Sequence, residues 1–116
     1  MIQIYHNPRC GKSRTCLAFL DNSKQEYEII PYLTETPTHD ELKSLLKKLD
    51  IKPLQLVRTK EKIWIENYKA KTLSDDEIIQ AMVENPILIE RPIVVKDGKA
   101  IIGRDIDLVA AFLDLL

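Results

Sequence analysis

This 116-residue sequence has few cysteines and glycines, no strong excess of charge and no long apolar run. Two cysteines are too few for the disulfide framework of a small secreted protein, which favours a reducing, cytoplasmic location. No stretch approaches the ~20 apolar residues that span a bilayer, and Met1 leads straight into an apolar segment without a signal-peptide pattern. A net charge of -1 gives no sign of a nucleic-acid or membrane surface. We therefore expect one domain over residues 1–116, with no nucleic-acid or membrane partner.

The spacing of the scarce residues also excludes two common kinds of site. Two histidines and two cysteines match no zinc-ligand pattern, so we expect no metal site. Gly11, Gly98 and Gly103 lie too far apart to form a phosphate-binding glycine-rich loop.

The first third of the chain predicts a strand–helix–strand unit. Residues 2–5 and 26–32 have the composition of strands, and residues 10–20 that of a helix. The segment at residues 21–23 is predicted as a turn, and Pro31 indicates either an edge strand or the end of the second strand. Two strands joined by a helix imply parallel pairing.

The middle of the chain predicts helices, which we interpret as an insertion at residues 38–85. Two capping boxes, Thr38 with Glu41 and Ser74 with Glu77, each precede an apolar stripe of helical period. Two shorter helical segments lie between them, at residues 53–57 and 60–68.

The last third predicts a hairpin followed by a helix. Strands at residues 93–95 and 100–102 flank an Asp97-Gly98 turn, and Asp105 caps a helix at residues 106–115. The full order is β-α-β, helices, then β-β-α. This order indicates an α/β protein of thioredoxin-like fold, with a small mixed sheet and a helical insertion in its middle.

Cys10 falls where the first strand gives way to the first helix, within the segment His6-Asn7-Pro8-Arg9-Cys10-Gly11-Lys12-Ser13-Arg14. The unsatisfied N–H groups and the helix dipole at such a position favour an anion, and therefore the thiolate. The cationic side chains in the same segment favour the same ionisation. We predict that Cys10 is a reactive nucleophile; the alternative is a small buried apolar residue.

Cys16 lies about 120° around a helix from Cys10 and roughly 9 Å along its axis. A disulfide needs Cα atoms within about 7 Å, so this pair cannot close unless the helix opens. We interpret Cys16 as a packing residue. Ser13 occupies the position of the second thiol of a Cys-x-x-Cys motif, so redox chemistry at Cys10 would take its second thiol from another molecule.

Three arginines, Arg58, Arg91 and Arg104, stand at the ends of predicted elements. The guanidinium fork suits bidentate contact with a phosphate-like oxyanion, so these side chains could complete an anion site at the helix N-terminus. The alternative is that each is a solvated or salt-bridged surface residue. His6, four residues before Cys10, could tune the charge of the thiol or hydrogen-bond the loop.

The segment from His6 to Arg14 closely resembles the active-site loop of the glutaredoxin-coupled arsenate reductases. Three further segments agree in order: Pro53-Leu54-Gln55-Leu56-Val57-Arg58, Asn85-Pro86-Ile87-Leu88-Ile89-Glu90-Arg91-Pro92-Ile93-Val94 and Ile102-Gly103-Arg104. Together they cover essentially the whole chain. That family has a thioredoxin-like fold with a helical insertion, which agrees with the predicted element order. Arg9 stands where the family has an alanine.

The resemblance implies a reaction and its principal residues. Cys10 matches the family's nucleophile, and Arg58, Arg91 and Arg104 match its three oxyanion-binding arginines. The substrate would be arsenate, with glutathione as co-substrate, glutaredoxin as partner and no bound cofactor. The Cys10 thiolate would attack arsenate, and the two thiol partners would reduce the adduct to arsenite.

The resemblance also implies supporting residues. His6 matches the residue thought to influence the thiolate, and Pro92 matches the cis-proline of thioredoxin-like proteins. The polar neighbours in the loop are Asn7, Ser13 and Arg14.

Two other functions within the same fold family stay open. One is a relative that acts on glutathione conjugates or other thiols, against which the complete arginine set argues. The other is an RNA-polymerase-binding redox regulator. Those regulators usually carry Cys-x-x-Cys, so Ser13 argues against this function.

Overall fold

The computed structural model describes residues 1–114, which divide into two compact units. The first unit contains residues 1–35 and the described residues from Arg91 onward, and the second contains Thr36–Glu90. None of the helices in the described part of the chain is long and apolar enough to cross a membrane.

The first unit begins with the predicted strand–helix–strand arrangement. Strand β1 (Ile2–Tyr5) leads through a loop into helix α1 (Gly11–Ser23), and strand β2 (Tyr27–Ile30) follows. Strands β1 and β2 pair in parallel, with Ile2 opposite Tyr27, as the βαβ pattern predicted.

A hairpin completes the sheet of the first unit. Strand β3 (Ile93–Lys96) pairs antiparallel with both β1 and β4 (Lys99–Ile102), so the described strands stand in the order β2-β1-β3-β4. Strand β2 lies at the edge and ends directly before Pro31, so both alternatives that the proline suggested are present. Asp97 and Gly98 have φ values of 53° and 76°, the two left-handed conformations that a type I′ hairpin turn requires.

The register of the sheet explains why distant segments meet. Tyr5, the last residue of β1, lies opposite Ile93, the first residue of β3. Ile93 in turn lies opposite Ile102, the last residue of β4. The loop after β1, the segment before β3 and the segment after β4 therefore meet at one end of the sheet. These segments contain Cys10, Arg91 and Arg104.

The core of the first unit lies between the sheet and two helices. Helix α6 (Ile106–Phe112) begins at Asp105, whose carboxylate accepts a hydrogen bond from the backbone N–H of Asp107 at 2.9 Å. Helices α1 and α6 pack their apolar residues against alternate residues of the strands. The buried residues of this core are Ile2, Ile4, Cys16, Leu20, Val94, Val109 and Leu113.

The second unit contains the predicted helices. Within residues 36–90 these are α2 (His39–Leu49), α3 (Pro53–Leu56), α4 (Lys62–Asn67) and α5 (Asp75–Glu84), followed by a 3₁₀ turn at Pro86–Leu88. Both predicted capping boxes are present, at Thr38 and at Ser74. Residues 38–85, predicted as the insertion, fall within this unit.

Several predicted boundaries were wrong. Cys10 is the cap of α1 rather than its first residue, and residues 21–23 continue the helix instead of forming a turn. The hydroxyl of Ser23 donates to the carbonyl of Leu20 at 2.7 Å, which satisfies one acceptor of the last turn. The chain then reverses at Lys24, whose φ is 60°.

The other corrections concern element ends. Strand β2 covers residues 27–30 rather than 26–32, because its ladder to β1 is only four residues long. The short connecting helices α3 and α4 are also trimmed at their ends. Helix α6 ends at Phe112 rather than 115, and Asp114 has a left-handed φ of 57°. Leu115, the last residue of the predicted helix, lies outside the described residues.

Candidate active site

Cys10 caps the N-terminus of α1 with an extended backbone, at φ -95° and ψ 124°. Its side chain accepts no capping hydrogen bond from the first turn in the usual geometry of serine or aspartate. The backbone N–H groups of Lys12 and Ser13 instead hydrogen-bond the Cys10 sulfur. The sulfur therefore occupies the position where a helix N-terminus holds an anion.

The pKa of the Cys10 thiol is lowered to about 7. Desolvation by burial is the largest effect and raises the pKa, but four hydrogen bonds that favour the thiolate outweigh it. The donors are, in order of effect, the Ser13 N–H, the Arg91 side chain, the Lys12 N–H and the Arg104 side chain. A substantial fraction of the Cys10 side chains is therefore thiolate at neutral pH.

Arg91, just before β3, and Arg104, just after β4, both approach the Cys10 sulfur. Nη1 of Arg104 lies 4.0 Å from the Cys10 sulfur and donates to the backbone carbonyl of Arg91 at 2.8 Å. The side chain of Arg91 is buried, at 8% exposure, and also hydrogen-bonds the sulfur. The Gly103 N–H donates to the carbonyl of Pro92 at 2.7 Å, which ties the two segments together.

The peptide bond between Arg91 and Pro92 is cis, as the resemblance implied. Pro92 is also buried.

A buried polar cluster, formed by His6, Asn7 and Ser13, stabilises the loop that leads to Cys10. The Ser13 hydroxyl lies 2.7 Å from Nδ1 of His6 and accepts a hydrogen bond from the Asn7 N–H at 3.0 Å. Burial lowers the pKa of His6, and the charge of Arg14 lowers it further, so the ring is neutral at pH 7. His6 therefore hydrogen-bonds the loop, one of the two roles that its position suggested.

Further hydrogen bonds shape the loop around the cysteine. The carbonyl of Asn7 accepts from the Cys10 N–H at 3.0 Å, and its side-chain oxygen accepts from the Arg9 N–H at 2.9 Å. Nη1 of Arg14 donates to the carbonyl of Pro8 at 3.0 Å. Arg9 and Arg14 are both exposed. The Arg14 side chain thus connects helix α1 to the backbone of the loop at Pro8.

Cys16 is a packing residue, as predicted. Its side chain is fully buried, and burial raises the pKa of its thiol to about 11. A Cβ atom built on Gly103 would lie only 3.3 Å from the Cys16 sulfur. Cys16 therefore fills the space beneath the segment that carries Arg104.

Arg58 lies in the second unit, where it has two carboxylate partners. Its Nε is 3.2 Å from a carboxylate oxygen of Glu61, and its Nη1 is 3.3 Å from one of Glu90. The Arg58 N–H donates to the carbonyl of Leu88 at 2.7 Å. Its role in oxyanion binding stays a prediction of the resemblance.

The structure thus brings most of the predicted residues together in the first unit. Cys10, Arg91 and Arg104 are in direct contact, and His6, Asn7 and Ser13 form one hydrogen-bonded cluster. The sequence predicted that unsatisfied N–H groups at the start of the helix would favour the thiolate, and the structure identifies them as the backbone N–H groups of Lys12 and Ser13. The position of Cys10 immediately before the helix was the signal for this prediction.

The sheet order, the cis-proline and a cysteine at the N-terminus of α1 define a thioredoxin-like protein whose Cys10 thiol has a lowered pKa. The model of the ArsC family matches residues 5–112. The chain belongs to the ArsC family.

Named relatives agree with this assignment. The chain is 47% identical to the Escherichia coli protein YfgD over 105 residues, which are 89% of this chain and 88% of that protein. It is 36% identical to an arsenate reductase of Neisseria meningitidis serogroup A over 114 residues, 97% of each chain. The solved structure of an arsenate reductase from Vibrio cholerae has a TM-score of 0.89 and 41% identity, covering 99% of this chain and 97% of that one.

Proposed function

We propose that this protein is an arsenate reductase in which Cys10 is the nucleophile. The observation that carries the proposal is the contact of the Cys10 sulfur with two arginines and two backbone N–H groups. These donors stabilise a thiolate before substrate arrives and present positive charge where a tetrahedral oxyanion would bind. The arsenate reductases among the relatives give the oxyanion its identity.

Substrate binding in this proposal is mainly charge neutralisation. Arg91 and Arg104 lie against the sulfur, so an oxyanion that they bind would have its central atom close to the nucleophile. Guanidinium groups match such an anion in charge and in geometry. The resemblance assigns Arg58 to the same task.

The first chemical step forms a bond between the Cys10 sulfur and arsenic. The thiolate supplies the electron pair, and one arsenate oxygen leaves as water after taking up protons. Reduction of arsenic(V) to arsenic(III) then takes two electrons. One glutathione thiol and one glutaredoxin thiol supply them by becoming a mixed disulfide. Water then displaces the Cys10 sulfur from arsenic(III), which breaks the S–As bond, releases arsenite and returns the thiolate.

External thiols are proposed because the chain offers no suitable second thiol. Cys16 is buried with a raised pKa, and Ser13 stands at the Cys-x-x-Cys position. A thiol that is buried and protonated neither attacks nor leaves readily. Glutathione and glutaredoxin are the partners that the resemblance implies. A cytoplasmic location, where such thiols are kept reduced, belongs to the same proposal.

The proposal is tested by arsenite formation with purified components. Wild-type protein, arsenate, glutathione and glutaredoxin should give steady turnover, and omission of either thiol partner should abolish it. Cys10→Ser should lose all activity, and the matched variant Cys16→Ala should keep it nearly intact. An inactive wild type whose Cys10 still reacts rapidly with disulfides would contradict the proposal and favour a thiol-conjugate substrate.

A further inference from the structure

A hollow beside Cys10 in the first unit contains several side chains to which the arsenate proposal gives no role. It has a volume of about 320 Å³ and lies between the starts of α1 and α6. Its lining residues are Lys12, Thr15, Arg104, Asp105 and Ile106. The hollow is large enough for an amino-acid-sized group, at the lower end of the range for ligand pockets.

The hollow adjoins the sulfur through two residues that belong to both places. Arg104 lines the hollow, and its Nη1 lies 4.0 Å from the Cys10 sulfur. Lys12 also lines it, and its backbone N–H hydrogen-bonds the sulfur. A molecule held in the hollow therefore lies beside two residues that contact the Cys10 sulfur.

The charges that line the hollow are mixed, which distinguishes it from the oxyanion site. Lys12 and Arg104 are cations, and Thr15 offers a hydroxyl. Asp105 adds a carboxylate, one oxygen of which accepts the Asp107 N–H. A carboxylate repels arsenate but attracts an ammonium group. The set therefore suits a ligand that carries a carboxylate and an ammonium group together.

We infer that this hollow binds the γ-glutamyl end of glutathione, and this inference rests on the proposed use of glutathione as co-substrate. The α-carboxylate of the γ-glutamyl group pairs with Lys12 and Arg104, and its ammonium group pairs with Asp105. Glutathione docked in this way carries its thiol toward Cys10. The hollow thereby selects glutathione over thiols that lack an amino-acid end.

Disulfide exchange tests the inference without arsenate. The Cys10 thiolate attacks one sulfur of glutathione disulfide, the S–S bond breaks, and one glutathione thiolate leaves. The product is a mixed disulfide of Cys10 and glutathione, whose rate of formation mass spectrometry measures. Bis(2-hydroxyethyl) disulfide, which is neutral, reports the intrinsic reactivity of Cys10. The rate ratio, defined as the rate constant for glutathione disulfide divided by that for the neutral disulfide, therefore measures recognition of glutathione separately from the intrinsic reactivity of Cys10.

The key variants are Lys12→Gln and Asp105→Asn. Each should lower the rate ratio about two- to fivefold, the effect of losing one partly exposed ion pair. Asparagine caps a helix as well as aspartate does, so Asp105→Asn keeps α6 intact. Glutathione disulfide is an anion, so general electrostatics predicts that removing the Asp105 charge speeds its reaction. The inference predicts that this reaction slows.

Arg9→Gln is the matched control, because Arg9 is an exposed cation beside Cys10 that does not line the hollow. Its rate ratio should stay at the wild-type value. The inference is overturned if Asp105→Asn raises the ratio or leaves it unchanged, or if the wild type shows no preference for glutathione disulfide.

Failure of the proposed function would look different. An enzyme that forms no arsenite but keeps the predicted rate ratios contradicts arsenate reduction and supports the hollow. An enzyme that forms arsenite with an unchanged KM for glutathione in both variants contradicts the hollow and supports the reductase.

Discussion

Arg104 donates a hydrogen bond from Nη1 to the backbone carbonyl of Arg91 at 2.8 Å. The same nitrogen lies 4.0 Å from the Cys10 sulfur. The contact joins the residue before the cis-proline to the residue after Gly103, at the end of the sheet where β3 and β4 are paired. The guanidinium group is therefore held in place before substrate binds, which reduces the reorganisation that catalysis requires.

Substitution of Arg104 by lysine tests whether the site needs the rigid guanidinium group or only its positive charge. A lysine keeps the charge but has one nitrogen at the end of a flexible chain. The pKa of Cys10 should rise, and kcat/KM for arsenate should fall by roughly 10- to 100-fold, as expected for losing a charged hydrogen bond worth about 1.5–3 kcal/mol. Steady-state kinetics and the pH profile of alkylation measure the two effects. A variant with wild-type values for both would show that charge alone suffices.

The alkylation rate of Cys10 should follow its thiolate fraction. With a pKa of about 7, the rate should be half-maximal near pH 7, level off above pH 8 and fall about tenfold per unit well below pH 7. Iodoacetamide labelling followed by mass spectrometry measures this profile. In Cys10→Ser, the buried Cys16 should stay unlabelled while the protein is folded. A midpoint near the ordinary cysteine value of about 8.5 would contradict the stated role of the donors.

Ser13→Ala should destabilise the fold through the polar cluster. The Asn7 N–H and the His6 ring would lose their shared partner in a buried place. Buried polar groups left without partners cost about 1–3 kcal/mol, so the urea midpoint should fall accordingly. Ser44→Ala, at an exposed position of α2, is the control and should change stability by less than about 0.5 kcal/mol. Equal stability of the two variants would show that the hydrogen bonds of Ser13 to His6 and Asn7 do not stabilise the loop.

Gly103→Ala should be destabilising because no space remains for a methyl group. A Cβ atom there would lie 3.1 Å from Cγ2 of Val109, and 3.3 Å from both the Cys16 sulfur and Cγ2 of Val94. Overpacking of this kind costs about 1–3 kcal/mol. The double variant Gly103→Ala with Cys16→Ala should recover part of the loss, because the sulfur is removed. Denaturant unfolding of the four proteins in the cycle measures the coupling, and strictly additive effects would contradict it.

The sequence predicted much of this fold because its local signals are strong. The capping boxes at Thr38 and Ser74 and the Asp97-Gly98 turn each follow from a few neighbouring residues, and all three are present. The helix end at residues 21–23 was missed, since Asp21-Asn22-Ser23 has turn composition. In the structure, the hydroxyl of Ser23 donates to the carbonyl of Leu20 in the last turn of α1. The composition of the segment does not reveal this hydrogen bond.

The site was less predictable than the fold, because its contacts cross long stretches of the chain. Nothing near Arg104 in the sequence indicates that its partner is the backbone of Arg91, and only the register of β3 and β4 brings them together. The position of Cys10 before a helix did predict a stabilised thiolate. The hydroxyl of Ser13 serves His6 and Asn7 rather than the sulfur, and only the folded loop reveals this.

The most direct test of the central claim is whether arsenic becomes bonded to the Cys10 sulfur. Wild-type protein is mixed with arsenate and glutathione without glutaredoxin and freed of small molecules, and its arsenic is then examined by X-ray absorption. The account predicts about one arsenic per chain with a sulfur neighbour in the wild type and in Cys16→Ala, and none in Cys10→Ser. Arsenic retained equally by Cys10→Ser, or bound to the wild type through oxygen alone, would contradict the account.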